Sequence, residues 1–407
     1  MSLELRVEKL IYGGDGLSRL DGEVVLTPFV LPGEAVEADR TEVRQHVQRT
    51  RLLRVAEPSP DRVEPPCPVF GRCGGCQYQH ASYEAQLRLK RDILVETLRR
   101  VARIEFDPAR IGIEAGEPFE YRNRVQFHFE RGRVGYREMN SRQLVAVEKC
   151  PIGSPKINEA IVALNRMVRD RRWPDFVGSL EVFTDERQVQ WNVLESERPV
   201  ARRFFEWLAE EVPGTVAGPL EYAVNEDVFQ VSGTSFFQVN RFLLPRLASL
   251  AIGEARGGTA WDLYAGAGLF SLPLARRFER VVAVEAGRSA SDLRHNAQRA
   301  KLKVRTTTEQ TEVFLAGAKT APEFVLADPP RAGLGKAAAA RLLELRPRTL
   351  VIVACDPATL ARDLAALAPA YRIEALTMVD LFPQTFHLET IAKLALQDFG
   401  NTPQATK

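Results

Sequence analysis

An α/β fold is predicted: a Rossmann-like, doubly wound C-terminal domain behind a small N-terminal β-barrel and a central α+β domain that carries a cysteine cluster. Three observations predict it. From about residue 259 apolar strand-like runs alternate with helical stretches, the signature of a parallel sheet covered on both faces. Residues 1–55 are short strand-like runs punctuated by glycine, as in small oligonucleotide-binding barrels. Between them three cysteines are packed into Cys67-Pro-Val-Phe-Gly-Arg-Cys73-Gly-Gly-Cys76, with Cys150 far downstream.

The elements follow in order. Strands are predicted at 3–7, 23–26 and 37–47, with turns at Gly13-Gly14-Asp15-Gly16 and Leu31-Pro32-Gly33. The prolines of Glu57-Pro58-Ser59-Pro60 break the chain. A helix is predicted over 82–102, because Leu87, Ile93, Leu94 and Leu98 fall on one helical stripe. Residues 119–150 alternate in the strand manner, and 155–212 read as helix, strand, strand, helix. Strands at 260–264, 281–285, 324–328 and 349–355 then alternate with helices such as 269–277 and 336–345. The resulting division is 1–55 for the barrel, 56–235 for the central domain and 236–407 for the C-terminal domain, ending in a short polar tail, Asn401–Lys407.

Composition narrows the function classes. Hydrophobic residues make up 45% and charged residues 27%, the balance of a soluble globular protein. No apolar run approaches the roughly 20 residues that span a bilayer, and the N-terminus lacks a signal peptide's apolar core. A cytoplasmic protein without a membrane partner is expected, and a monomer. In a reducing compartment clustered cysteines are ligands or catalysts more often than disulfides. The net charge is only +2, but arginine is concentrated locally. Arg40, Arg44, Arg49, Arg51 and Arg54 face one acid, Glu42. Arg122, Arg124, Arg131, Arg133 and Arg137 are interleaved with Tyr121, Phe127, Phe129 and Tyr136. Arginine with aromatics suits phosphate pairing and base stacking, although solvated strand faces would look similar.

The chemistry is expected at the carboxyl ends of the parallel strands, where doubly wound sheets bind ligands. Asp262-Leu-Tyr-Ala-Gly266-Ala-Gly268 runs from a strand through a glycine turn into a helix. It matches neither the dinucleotide fingerprint nor a phosphate loop. Glu285, ending the next strand, is placed to accept from a ribose diol, so an adenosine ligand without a pyrophosphate fits: S-adenosylmethionine. Asp328-Pro-Pro-Arg331 closes a further strand, with prolines holding the Asp carboxylate at the rim. Cys355 stands between the run Leu350–Ala354 and a helix start, where a lowered thiol pKa would make it a nucleophile. Glu389 precedes the last strand and could face the same cleft as a base. Cys67, Cys73, Cys76 and Cys150 form a complete thiolate set for a metal or an iron–sulfur cluster.

Together these motifs, with Tyr121-Arg-Asn-Arg124, Phe236-Phe-Gln238-Val-Asn240 and Phe382-Pro-x-Thr-x-His-x-Glu389, resemble the uracil-5 RNA methyltransferases, in the iron–sulfur branch with an N-terminal TRAM domain. The resemblance implies a nucleophilic Cys355 and a basic Glu389. It implies S-adenosylmethionine contacts from Gln238, Tyr264, Gly266, Glu285 and Asp328, with Gln310 a looser match. Phe127 would stack on the target base, and Arg122 and Arg331 would also contact the substrate. The cysteine quartet would hold a [4Fe-4S] cluster, with zinc the alternative. The substrate would be RNA, 23S ribosomal RNA in preference to the T-loop of transfer RNA. Asp356 and Ala265 depart from the family's usual Asn and Cys without removing a group the chemistry needs. Two other classes fit less well. A radical S-adenosylmethionine enzyme needs a different cysteine spacing, and an RNA-binding zinc protein leaves Cys355, Asp328 and Glu389 without a task.

Overall fold

The computed structural model describes residues 2–44 and 47–397, so the predicted polar tail and the side chain of Arg44 lie outside the described residues. An eight-stranded sheet dominates the C-terminal part. Its order is Val304–Thr307, Phe278–Val284, Gly257–Leu263, Phe324–Ala327, Thr349–Ala354, Glu389–Leu396, Tyr371–Val379 and Ile111–Glu114. The first five are parallel; Glu389–Leu396 runs antiparallel to both of its neighbours. After Gly257–Leu263 the chain winds outward to one edge, then returns to Phe324–Ala327 on the other side. Ligand clefts form at such a reversal, because the two neighbouring connections leave in opposite directions.

The sheet is apolar on both faces, as its near-continuous hydrophobic strands require. One face packs Leu263, Val325, Leu350 and Ile352 against Leu360 and Leu364, and against Ile93, Leu94 and Leu98 of the Tyr83–Thr97 helix and the π turn that ends it. The other packs Leu326, Val351 and Val353 against Leu244, Leu247 and Phe270. The predicted helix over 82–102 forms with Ser82 as its N-cap, accepting from the amide of Ala85. Sequence position and packing part company here. That helix and the Ile111–Glu114 strand come from the stretch assigned to the central domain, yet they complete the C-terminal sheet and its core.

A six-stranded antiparallel-rich sheet forms the N-terminal β domain, where a barrel is expected, around Leu5, Val7, Val25, Val30 and Val36. The strand expected over 37–47 divides into Ala35–Arg44 and Val47–Glu57, which pair antiparallel. Its arginines are partly spent on neighbours: Arg49 on Asp15 at 3.0 Å, Arg51 on Asp39 at 3.2 Å, and Arg54 on Glu37. The central region is a five-stranded sheet, with Arg124–Glu130 at its middle, covered by the Pro155–Met167 and Arg202–Glu211 helices. Among the described residues no helix is long and apolar enough to cross a membrane.

Candidate active site

A cleft of about 890 Å³ opens at the carboxyl ends of the parallel strands. Nine of the residues singled out in the sequence line it: Arg122, Gln238, Tyr264, Gly266, Glu285, Asp328, Arg331, Cys355 and Glu389. Gln310 lines it too. Strand register explains the convergence. Ala354 pairs with Thr390 at the end of its antiparallel ladder, so Cys355 and Glu389, one residue further on each side, leave the sheet together. Asp328 follows Ala327 on the neighbouring parallel strand.

The cofactor end is preformed. Tyr264 adopts a left-handed φ of 62°, unusual for a tyrosine, and hands the chain to Gly266 (φ 55°) and Gly268 (φ 98°). A Cβ on Gly266 would meet nothing within 4 Å, so the turn opens onto free space. Glu285 accepts from the amides of Gly266 at 2.9 Å and Gly287 at 2.6 Å, which fixes its carboxylate while each oxygen keeps a lone pair for a ligand hydroxyl. Behind the turn Asp262 is fully buried; burial first pushes its carboxyl up to about 7, although the Ser271 hydroxyl donates to it. One of its oxygens has no partner. The remaining lone pairs of Glu285 fit a ribose diol such as that of S-adenosylmethionine.

The reactive end differs from the sequence expectation in one respect. The Cys355 thiol is pushed up to about 11, by burial first and then by the charges of Glu389 and Asp328, with Arg331 opposing. A lowered value was expected from the following helix. That helix's N-terminus is already used: Asp356 is the N-cap, and its carboxylate accepts from the amide of Thr359 at 2.8 Å. Burial raises both carboxyls, Asp328 to about 7 and Glu389, 4% exposed, well above the usual carboxylate range, the charge of Asp328 adding to the rise at Glu389. His387 is held neutral, pushed down to about 4 by burial and by Arg331, and its Nδ1 lies 3.5 Å from the Arg331 guanidinium.

Phe127 requires a correction. It is 0% exposed, in the core of the central sheet, with its ring stacked on Tyr136 at 5.5 Å. It sits mid-strand on the face turned to the covering helices, so it cannot reach a base in the cleft. Of the aromatics that line the cleft, Phe236 is the exposed one, 63% open on its rim. The Phe236-Phe237 pair alternates, Phe237 entering the core and Phe236 facing out. The sequence shows the pair but not which ring is free.

Cys67, Cys73, Cys76 and Cys150 are brought to the wall of a second cavity, of about 1190 Å³, between the barrel and the central sheet. Loop hydrogen bonds place them. Cys73 bridges to Glu138, and the Cys150 amide donates to Asn158 Oδ1 at 2.8 Å. Burial, with the charges of Cys150 and Cys67 adding to it, raises the Cys73 thiol to about 11. Burial also raises Cys76, with Cys150, Cys73 and Cys67 adding to it. The tight ligand cage expected from the spacing is not formed: among the described residues no group of three or more His, Cys, Asp or Glu side chains is drawn together to hold a metal ion. The donor set suits a thiophilic metal or cluster, and the walls would have to close on it.

Comparison with known proteins places these features in a family. Residues 297–396, which carry Asp328, Cys355 and Glu389, match the tRNA (Uracil-5-)-methyltransferase family. An uncharacterized RNA methyltransferase of Aquifex aeolicus is 34% identical, covering 97% of this chain and 99% of its own. A second, Bd3828 of Bdellovibrio bacteriovorus, is 30% identical over 96% of this chain and 94% of its own. Among solved structures, the Pyrococcus abyssi tRNA (uracil-54, C5)-methyltransferase in complex with S-adenosyl-L-homocysteine superposes with a TM-score of 0.76. It covers 97% of this chain and 100% of that one at 23% identity, which shows a shared fold. The protein is thus an S-adenosylmethionine-dependent RNA methyltransferase. It belongs to the tRNA (uracil-5-)-methyltransferase family.

Proposed function

We propose that the chain methylates C5 of a uridine in RNA through a covalent adduct on Cys355, with Glu389 as the base that ends the reaction. The observation that carries this reading is the ladder end at Ala354 and Thr390, which delivers one thiol and one buried carboxyl to the same cleft. Uracil C5 is a poor nucleophile. The Cys355 thiolate would form a bond to C6, and the C5–C6 π pair would move onto C5 and O4 as an enolate. S-adenosylmethionine, when bound, would supply the electrophilic methyl, which C5 takes as the S–CH3 bond breaks and its pair stays on sulfur as a neutral thioether. Glu389 would then remove the C5 proton; its electron pair restores the double bond, and the Cys355 sulfur leaves C6 with its own pair. A raised carboxyl suits that step, since once ionised it is a stronger base than an ordinary carboxylate. Gln238, Tyr264, Gly266, Glu285 and Asp328 would hold the cofactor. Phe236 would take the stacking task expected of Phe127, and Arg122 and Arg331 would pair with substrate phosphates. The target base must leave its stack to reach this depth.

The favoured substrate is 23S ribosomal RNA, in line with the iron–sulfur branch that the cysteine spacing resembles. Transfer RNA is the second reading, supported by the substrate named for the Pyrococcus abyssi structure. The quartet would hold a [4Fe-4S] cluster, whose iron–iron spread needs more room than one zinc ion. All five cysteines are free of disulfides, as suits a reducing cytoplasm.

Cys355→Ala should abolish 5-methyluridine formation while leaving S-adenosylmethionine binding nearly unchanged, by mass spectrometry of RNA and by calorimetry. Methylation at the normal rate by this variant would end the proposal. Cys150→Ser should lose metal content and solubility together. Unchanged iron or zinc stoichiometry would remove Cys150 from the ligand set.

A further inference from the structure

We propose that Tyr12, on the N-terminal barrel, is a positioning residue for Cys355, so that the barrel takes part in the first chemical step as well as in holding RNA. The inference rests on Cys355 being the nucleophile. The Tyr12 hydroxyl donates to the backbone carbonyl of Cys355 at 3.1 Å, across 343 residues of sequence. That carbonyl lies one residue past the last ladder pair and immediately before the N-cap of a helix, where neither sheet nor helix holds the backbone. The thiol's direction is therefore set by what grips this residue. Burial and the charges of Asp356 and Cys355 push the Tyr12 hydroxyl well above the ordinary tyrosine range, so it remains a donor.

The turn that carries Tyr12 is built to reach this point. The amide of Ile11 donates to Asp15 at 2.9 Å, and the amide of Gly14 returns to Ile11 at 3.2 Å. Gly13 and Gly14 take φ of 112° and 98°, which only glycine adopts freely. A Cβ on Gly14 would stand 3.1 Å from Gln77 Cβ and 3.7 Å from Phe386 Cβ, so the turn is pressed against the cysteine loop and the loop before Glu389. The Tyr12 ring meets Phe386 edge-on at 5.4 Å. One barrel turn thus touches the nucleophile's backbone and the approach to the base, and a side chain on Gly14 would lift it away.

The test measures the reaction through methyl transfer and stops before elimination. Transcripts of 23S ribosomal RNA and of transfer RNA are made with 5-fluorouridine, whose fluorine cannot leave C5 as a proton does, so the adduct accumulates. Wild-type protein and S-adenosylmethionine should give a denaturation-resistant protein–RNA species with one of them, and Cys355→Ala should not. If wild type gives none, or Cys355→Ala gives it, the functional reading itself falls, and the inference with it. Given that control, Tyr12→Phe keeps the ring on Phe386 and removes only the hydroxyl. Its adduct rate at saturating RNA should fall about tenfold, because small misplacements of a reacting group cost that order. Its RNA and cofactor affinities should stay within about twofold, and its melting temperature near wild type. A wild-type rate in Tyr12→Phe overturns the inference. A rate loss matched by weaker RNA binding, or by a fall in melting temperature, also overturns it, since the contact then serves binding or stability.

Discussion

At Cys355 the chain meets a problem of acidity. Burial and two neighbouring carboxyls push its thiol up to about 11, and the following helix spends its N-terminus on Asp356. A thiolate is the nucleophile, so the free protein holds this group in its unreactive form at neutral pH. The sign follows directly. With the thiol value raised, the thiolate fraction climbs about tenfold per pH unit and levels off only near the raised value. Alkylation of Cys355 by iodoacetamide, followed by peptide mass spectrometry, should therefore accelerate steadily from pH 7 to about 10. A plateau by about pH 9.5 would mean that the thiol is not raised. The sequence made Cys355 visible, because a cysteine after an apolar run at a helix start is recognisable. Its acidity was not visible, because Glu389 and Asp328 reach it only through strand register. Phe127 failed for a related reason: the aromatic and basic alternation around it is that of a strand with one buried face, and alternation alone does not say which face is covered.

The loop from Asp380 to Leu388 delivers Glu389, and elements far away in sequence hold it. Lys90, in the Tyr83–Thr97 helix, donates to Asp380 at 2.6 Å and to the Phe382 carbonyl at 3.0 Å, with both charged side chains buried. Gln86, one turn earlier, exchanges two hydrogen bonds with Gln384, whose φ of 68° is left-handed. The amides of Gln77 and Tyr78 donate to the Gln384 carbonyl, and the Tyr121 hydroxyl to that of Pro383 at 3.0 Å. Lys90→Met would leave Asp380 buried without its partner, which costs about 3–5 kcal/mol. The midpoint of urea unfolding should fall accordingly, and methylation should fall more than cofactor binding. A midpoint within error of wild type would show that Asp380 finds another partner. None of this network was legible in the sequence. The apolar stripe of the helix is plain in the sequence, but a lysine beside that stripe looks solvated until its partner, 290 residues on, is folded against it.

On the scale of the whole molecule, the sheet's strand alternation was the most legible feature, because parallel strands buried on both faces write long apolar runs into the sequence. Its last strand was not legible. Ile111–Glu114 is four residues long and joins through its pairing with Tyr371–Val379. The same holds for the way barrel, cysteine loop and C-terminal sheet meet at Tyr12, Gln77 and Gln384. These contacts tie the N-terminal turn and the cysteine loop to the Cys355 and Glu389 end of the sheet. The central claim is that these two groups act in sequence, the thiol before methyl transfer and the carboxylate after it. Glu389→Gln keeps the shape and removes the basicity, so thiolate addition and methyl transfer should proceed while elimination stops. Incubated with unmodified RNA and S-adenosylmethionine, this variant should yield a protein–RNA species that survives denaturing electrophoresis and carries the transferred methyl. The same variant lacking Cys355 should yield none. Release of 5-methyluridine at the normal rate by Glu389→Gln would contradict the claim and move the search for the base to His387.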